Sequence, residues 1–325
     1  MINPEDVVKT EDWFACDVPR REMKQLMTRD DWHAWLAVAG WVLLMAASGY
    51  LAFIVYPSAW CIPAFFLYGL IYSTNNAKWH ECSHGTAFKT PWLNDLFYFL
   101  CGAMEFRDAV DFRWSHARHH SYTIFTGVDA EIAVPRPPRL LLVLADCFYL
   151  RMGYYAVRNL LLHSVGIAAK EVRAYVPDSE FPRMFWSARA VLAIQLIPVI
   201  LAIALHSWLP VLFFGLPRFY GAIVGWDFIA LQHVGLAQNV WDHRLNTRSI
   251  RFNFVLSYLY LHMENHLEHH IYPLVPFHAL PRLRDLVRGQ LPAPYRGLIQ
   301  GTRELLPVLF QQKKDPSVYI HRPLP

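Results

Sequence analysis

Charge is what this chain has least of. Asp, Glu, Lys and Arg make up 17% of its 325 residues, against roughly 25% in an average soluble domain, while 54% are hydrophobic. Such a composition is expected of a chain that sits in a membrane. The net charge of +4 is modest. Arg and Lys gather near the termini and around the histidines rather than in aromatic-interleaved patches, which argues against nucleic acid as a partner.

Other signatures are missing as well. The five cysteines, Cys16, Cys61, Cys82, Cys101 and Cys147, are odd in number and scattered, with no Cys-x-x-Cys. Neither a disulfide framework nor a zinc ribbon is indicated, and the thiols are expected to be reduced. There is no haem-binding His-Pro-Gly-Gly, no dinucleotide Gly-x-Gly-x-x-Gly and no cysteine set for an iron–sulfur cluster. Residues 1–28 carry Glu5, Asp6, Glu11 and Asp12 ahead of Arg20, Arg21 and Lys24, so they lack the apolar core of a signal peptide and are expected to stay cytoplasmic. No internal repeat is visible.

Long hydrophobic runs are what the chain does have. Trp35 to Tyr56 has about the twenty residues a bilayer crossing needs, and Ala59 to Tyr72 follows after only Pro57 and Ser58, predicting a hairpin. Trp92 to Met104 is too short to span and predicts an interfacial helix. Leu140 to Leu162 is interrupted by Asp146, Arg151 and Arg158, which predicts an interfacial or cytosolic helix. Two further spans are expected at Ala188 to Leu205 and Val211 to Leu231, joined by an uncharged turn. Segments 18–30, 107–139, 170–189 and 242–252 are rich in Arg and Lys, and the positive-inside rule puts all four on the cytoplasmic side. The expected fold is therefore all-α: four transmembrane helices in two hairpins, both termini inside, with a cytoplasmic helical cap. Trp35, Trp41, Tyr50, Tyr56, Trp60, Trp208, Tyr220 and Trp226 read as an aromatic belt.

Histidine is concentrated. Eight of the sixteen fall in three clusters, His80-Glu-Cys-Ser-His84, His116-Ala-Arg-His119-His120 and His266-Leu-Glu-His269-His270, fifteen positions that an even scatter would give fewer than one. Residues at i, i+3 and i+4 share a helix face, so each cluster can converge on a point. Neutral imidazole binds iron, zinc, copper or nickel, and eight ligands exceed what one ion uses, so two metal ions are implied. The expected topology puts all three clusters on one side of the membrane. Carboxylates near them, Glu81, Asp108, Asp111, Asp129, Glu131, Asp227, Asp242, Glu264 and Glu268, are candidates to back the ligands. Asp227, inside the expected fourth span, is read either as lying near the metals or as paired with an Arg. Gln232, Asn239 and Asn265 are candidates to orient ligands or water, or to cap and turn.

The pattern His-x-x-x-His, His-x-x-His-His, His-x-x-His-His, with His80 to Thr86 as first box and His266 to Pro273 followed by Pro276, Leu280 and Pro281 as third, resembles the membrane fatty acid desaturase and hydroxylase superfamily. The resemblance covers residues 35–285, leaving 1–34 and 286–325 as cytoplasmic tails. It implies two iron ions held by His80, His84, His116, His119, His120, His266, His269 and His270. It also implies a further ligand at the end of the last span, where His233 stands, and dioxygen as co-substrate. The implied activity is desaturation of a fatty acyl chain; the runner-up is hydroxylation or ketolation of an acyl chain, alkane or carotenoid. Electrons would come from a separate ferredoxin or cytochrome with its reductase. Arg107, Arg113, Arg118, Arg136, Arg139, Arg244, Arg248 and Arg251 could steer an acidic carrier of this kind. Compact loops suit a bacterial inner membrane, and an endoplasmic reticulum location has the same topology. Remote alternatives are a zinc-dependent membrane hydrolase, including a His80-Glu81 zincin, a pH-responsive histidine surface, and a metal-stabilised membrane sensor.

Overall fold

The computed structural model describes residues 13–325, and among them there is no β-strand, only an isolated bridge between Ile250 and Tyr295. The acidic residues Glu5, Asp6, Glu11 and Asp12 lie outside the described residues. A short helix, α1 (Arg20–Leu26), precedes α2 (Asp31–Ile54), whose 24 residues reach about 36 Å at about 1.5 Å each. Its first residue accepts hydrogen bonds from the Thr90 amide and hydroxyl, at 2.9 and 2.6 Å. Next come α3 (Cys61–Ser73) and α4 (Asn75–Ser83), separated by Thr74, then α5 (Pro91–Met104), which starts on a proline whose missing N–H costs nothing there. It has the amphipathic character the sequence predicts, with Trp92, Leu96 and Leu100 exposed and Leu93 and Cys101 buried.

The chain continues as α6 (Asp111–Ser121), α7 (Leu140–Asp146) and α8 (Leu150–Ser164). The last two are bent by 71° at the break between them. A 3₁₀ turn then leads into α9 (Phe181–Ala204), and the apolar helical stretch Asp178–Ala204 is, like α2, long enough to cross a membrane.

The expected span at 211–231 is not one helix. It is α10 (Leu209–Phe213), α11 (Pro217–Tyr220) and α12 (Ile223–His233). The cause stands in the sequence: Gly215 takes a left-handed φ of +87°, Phe214 is extended, and Pro217 fits a helix start but not a helix interior. The second expected span is also short, since α3 has 13 residues. Two described helices are thus long and apolar enough to cross, or three if the bent α7–α8 pair counts as one. Five shorter helices follow: α13 (His243–Asn246), α14 (Phe254–Leu259), α15 (His266–Ile271), α16 (Leu280–Val287) and α17 (Leu298–Gln312).

The chain divides into two compact units. One comprises Asp31–Trp114 and Leu144–Trp226. In it α2 packs on α3, α4 on α5, and α8 on α9, while α11 crosses α3 so closely that a Cβ on Gly221 would lie 2.0 Å from the Gly69 backbone. Buried ion pairs hold it too: Arg218 Nε donates to Glu105 at 2.6 Å, with both side chains nearly inaccessible. Of the expected aromatic belt, Trp35, Tyr50, Trp60 and Trp208 are exposed, but Trp41 and Trp226 are buried, and Trp41 Nε1 donates to the Ile71 carbonyl at 3.0 Å. Those two are packing residues.

The other unit is built from Ser115–Val143 and Asp227–Pro325 with the described part of the N-terminal segment. Here α15 packs on α13 and α16, and α1 packs on α16. Gly301 of α17 lies against Leu231, and the Ile320 amide donates to the Gly235 carbonyl at 2.7 Å. The C-terminal stretch is therefore folded into this unit. Arg248, expected on a basic docking face, is completely buried, its guanidinium donating to the Val234 carbonyl. It is unavailable to steer a partner.

Candidate metal centre

Within this second unit two short helices deliver the six histidines of two of the three expected clusters, and the end of α12 delivers His233. His116, His119 and His120 sit on α6, and His266, His269 and His270 on α15. The i, i+3, i+4 spacing turns them to one side of each helix, as the sequence predicts. His116, His119, His266, His269 and His270 are all buried.

Their nitrogens converge. Those of His119, His233 and His270 lie within 4.8 Å of one another, and so do those of His116, His120 and His269. His266 joins the first group, its Nε2 lying 3.0 Å from Nε2 of both His233 and His270. His116 Nε2 and His120 Nε2 are 3.2 Å apart. The other unit contains His80 on α4 and His84 just after it, their ring centroids 5.1 Å apart.

What backs these rings decides their chemistry. His119 Nδ1 donates to Asp129 Oδ2 at 2.8 Å, and His116 Nδ1 donates to Glu131 Oε2 at 2.9 Å. His233 Nδ1 donates to the Asn246 carbonyl at 3.0 Å. The Thr123 hydroxyl gives its proton to the His119 carbonyl at 2.7 Å, so its oxygen accepts from His270 Nδ1 at 3.2 Å. With Nδ1 carrying the proton, the neutral ring has a bare lone pair at Nε2. The group His119, His233, His270 thus presents three lone pairs to one point, a donor set that a divalent transition metal can take.

The local backbone departs from regular geometry beside these rings. Ile124, a β-branched residue, has φ of 60°, a conformation that costs about 1–3 kcal/mol. It lies in the turn that lets the Ile124 and Glu131 amides each donate to Asp129 at 2.8 Å, fixing the carboxylate against His119. Burial holds the His270 pKa well below its ordinary value, with His120 and His266 adding to the effect, so this ring is neutral. Burial also depresses His119, but Asp129 outweighs it and the net shift is upward. A proton at His119 is then the natural competitor of a metal ion.

Most of the other candidate carboxylates serve elsewhere. Glu81 accepts from the Thr86 hydroxyl, Asp111 from Tyr175 and Arg107, Glu268 from Ser249, Glu264 from Ser257, and Asp242 caps α13 while pairing with Arg244. Asp108 does back a histidine, but it is His163, at 2.8 Å. Asp227 accepts from the Thr302 hydroxyl with both oxygens, at 2.8 and 3.1 Å, so neither an Arg pair nor the metal site is its place. Asn239 accepts from Thr126 in a turn of its own left-handed φ, Asn265 donates to the His262 carbonyl, and the Gln232 carbonyl accepts from the Arg248 amide.

Two backing groups had no signal in the sequence, Thr123 and the Asn246 carbonyl. Hydroxyls and carbonyls are everywhere, and only the fold selects them. His243, also unforeseen, is buried with its ring 5.2 Å from that of His270, and burial lowers its pKa to about 3.

A family model described as fatty acid desaturase matches residues 63–302, which is 240 of the 325 residues. No curated protein matches.

Proposed function

From the premise that the chain belongs to the fatty acid desaturase family, we propose that it is a membrane-bound, dioxygen-dependent oxidoreductase that introduces a C=C bond into a fatty acyl chain. The observation that carries this reading is the convergence of His119, His233 and His270 with Nδ1 already used in each ring. Imidazoles arranged so are suited to serve as metal ligands.

His119, His233, His266 and His270 would hold one iron, and His116, His120 and His269 would contribute to the second. Bound iron would supply the activation of dioxygen and the removal of hydrogen from an unactivated C–H bond. The chain's own part is to fix the donors. Asp129 and Glu131 hold the His119 and His116 rings by charge-assisted bonds that also make Nε2 a stronger donor. Burial of the centre excludes water that would quench a strong oxidant. An apolar substrate suits a protein whose α2 and Asp178–Ala204 helices are built for lipid. The positive-inside pattern supports a cytoplasmic orientation for termini and histidines, and the compact loops support a bacterial inner membrane. The absence of any cofactor motif of its own supports a separate ferredoxin or cytochrome as electron donor.

The test is iron and zinc content per chain of detergent-purified protein, followed by a lipid product screen with reductant and dioxygen. About two irons and an unsaturated product are expected, with His120→Ala abolishing the product while leaving membrane insertion intact. Two zinc ions with no oxidised lipid, or a His120→Ala variant that remains active, would sink it.

A further inference from the structure

Resting on this reading, a second question has an answer on the molecule's surface: where an electron from outside enters a buried centre. The N-terminal segment 13–17 is pinned to the unit that carries the histidines. Arg244 stacks over Phe14 at 3.4 Å, Tyr272 donates its hydroxyl proton to the Cys16 carbonyl at 2.6 Å, and the Asp17 amide and carbonyl pair with the Gln290 side chain at 2.6 and 3.0 Å. These anchors present Trp13 flat on His243, with ring centroids 3.9 Å apart and planes only 3° from parallel. His243 in turn touches His270, and Trp13 also meets Trp241 at 5.1 Å. Trp13 and Trp241 are half-buried, so they reach solvent; His243 and His270 do not.

We propose that Trp13 and His243 are the electron entry path, and that the Trp13–Trp241 surface is where a soluble one-electron carrier protein docks. Tunnelling decays exponentially with empty distance, so contiguous rings in van der Waals contact from solvent to a metal-ligating imidazole favour this route over a path through aliphatic packing. Each electron leaves the reduced carrier and arrives at the iron; no ring is oxidised or reduced and no bond is made. Aromatic residues with Arg beside them are also the composition of a protein-docking core.

The test needs neither lipid nor turnover. With the half-buried native thiols Cys61 and Cys147 changed to Ser, exposed Ala15 is changed to Cys and labelled with a ruthenium photosensitiser in the full-length, iron-loaded protein. Iron content is measured, and flash-driven reduction of the ferric centre is followed optically. Trp13→Leu should slow electron arrival roughly tenfold at unchanged iron content, and Trp13→Phe, which keeps a ring, should recover most of the rate. Equal rates in the parent and Trp13→Leu would overturn the path and leave the function reading standing. Loss of iron from Trp13→Leu would make Trp13 a positioning residue, which also overturns it. No reducible metal in the parent protein would overturn the function reading and the path together.

Discussion

Asp129→Asn isolates what a backing carboxylate does for this centre. In the native protein Asp129 Oδ2 accepts from His119 Nδ1 and the Ile124 amide, and Oδ1 from the Glu131 amide, each at 2.8 Å. Asparagine has the same shape but one oxygen. If that oxygen keeps the two donors at the Oδ2 position, the new NH₂ faces the Glu131 N–H, and one buried donor is left without an acceptor. The larger effect is electrical. Neutralising the acceptor turns a charge-assisted bond, worth about 1.5–3 kcal/mol, into an ordinary one of about 0.5–1.5 kcal/mol, and His119 Nε2 becomes a poorer donor. Loss of such a partner typically weakens metal binding about 10–100-fold, or about 1.4–2.8 kcal/mol. Competitive titration of metal-free protein against a chromophoric chelator measures this, with circular dichroism as the check on folding. Asp227→Asn is the internal comparison: it touches Thr302 and no histidine, so its metal affinity should match the parent. Wild-type affinity in Asp129→Asn would refute the argument that the carboxylate sets the donor strength of His119.

The remaining expectations concern affinity and stability. Glu131→Gln should weaken metal binding by less than Asp129→Asn, because Glu131 is about one-fifth exposed and its bond to His116 is already partly screened; the same chelator titration ranks the two. Gly221→Ala should lower the thermal midpoint in detergent sharply, since its Cβ would meet Gly69 backbone atoms 2.0 Å away that no side-chain rotation can move. Glu105→Gln, which takes the carboxylate partner from a buried Arg218, should cost about 3–5 kcal/mol, whereas Glu105→Gln combined with Arg218→Met should recover part of it; chemical denaturation of the parent and both variants distinguishes a lost charge partner from lost packing.

Periodicity and spacing carried the histidines because both are local. The i, i+3, i+4 patterns on α6 and α15 needed only a helix to bring their nitrogens together, and His233 needed only the end of α12 to join them. The apolar runs behind α2 and α9 were legible for the same reason. Hydrophobicity alone makes 211–231 a span, but Gly215, Pro217 and Gly221 break it, and Gly221 is further used for the close approach to Gly69. Asp227 was misplaced because a charge in an apolar run looks like chemistry, yet Thr302, seventy-five residues on, satisfies it. Pairings at that separation, like Asn246 backing His233, leave no periodic trace. The docking of the C-terminal stretch is not legible because the amphipathic pattern of α17 does not say what its apolar side packs on, and that depends on Gly301 fitting Leu231.

Those distant pairings bear on how metal and fold depend on each other. His233 Nε2 is deprived of its proton by Asn246, and His270 Nε2 by Thr123, and both face His266 Nε2 at 3.0 Å. One proton on His266 can bridge some of these lone pairs but leaves the set incompletely matched, in surroundings where unmatched polar atoms cost several times what they do at a surface. A proton taken up at His119, whose pKa Asp129 raises against burial, supplies a positive centre of the wrong shape, because it points from a single nitrogen. A divalent ion supplies one that all the nitrogens can share. A metal ion bound there would stabilise the unit that carries these histidines by more than the same ligands would contribute from a flexible surface, and its removal should lower protection of the Thr123, Asp129 and Asn246 amides from hydrogen exchange before it affects α2 or α9. Equal loss of protection in the two units would mean that the imidazoles are organised without need of the ion.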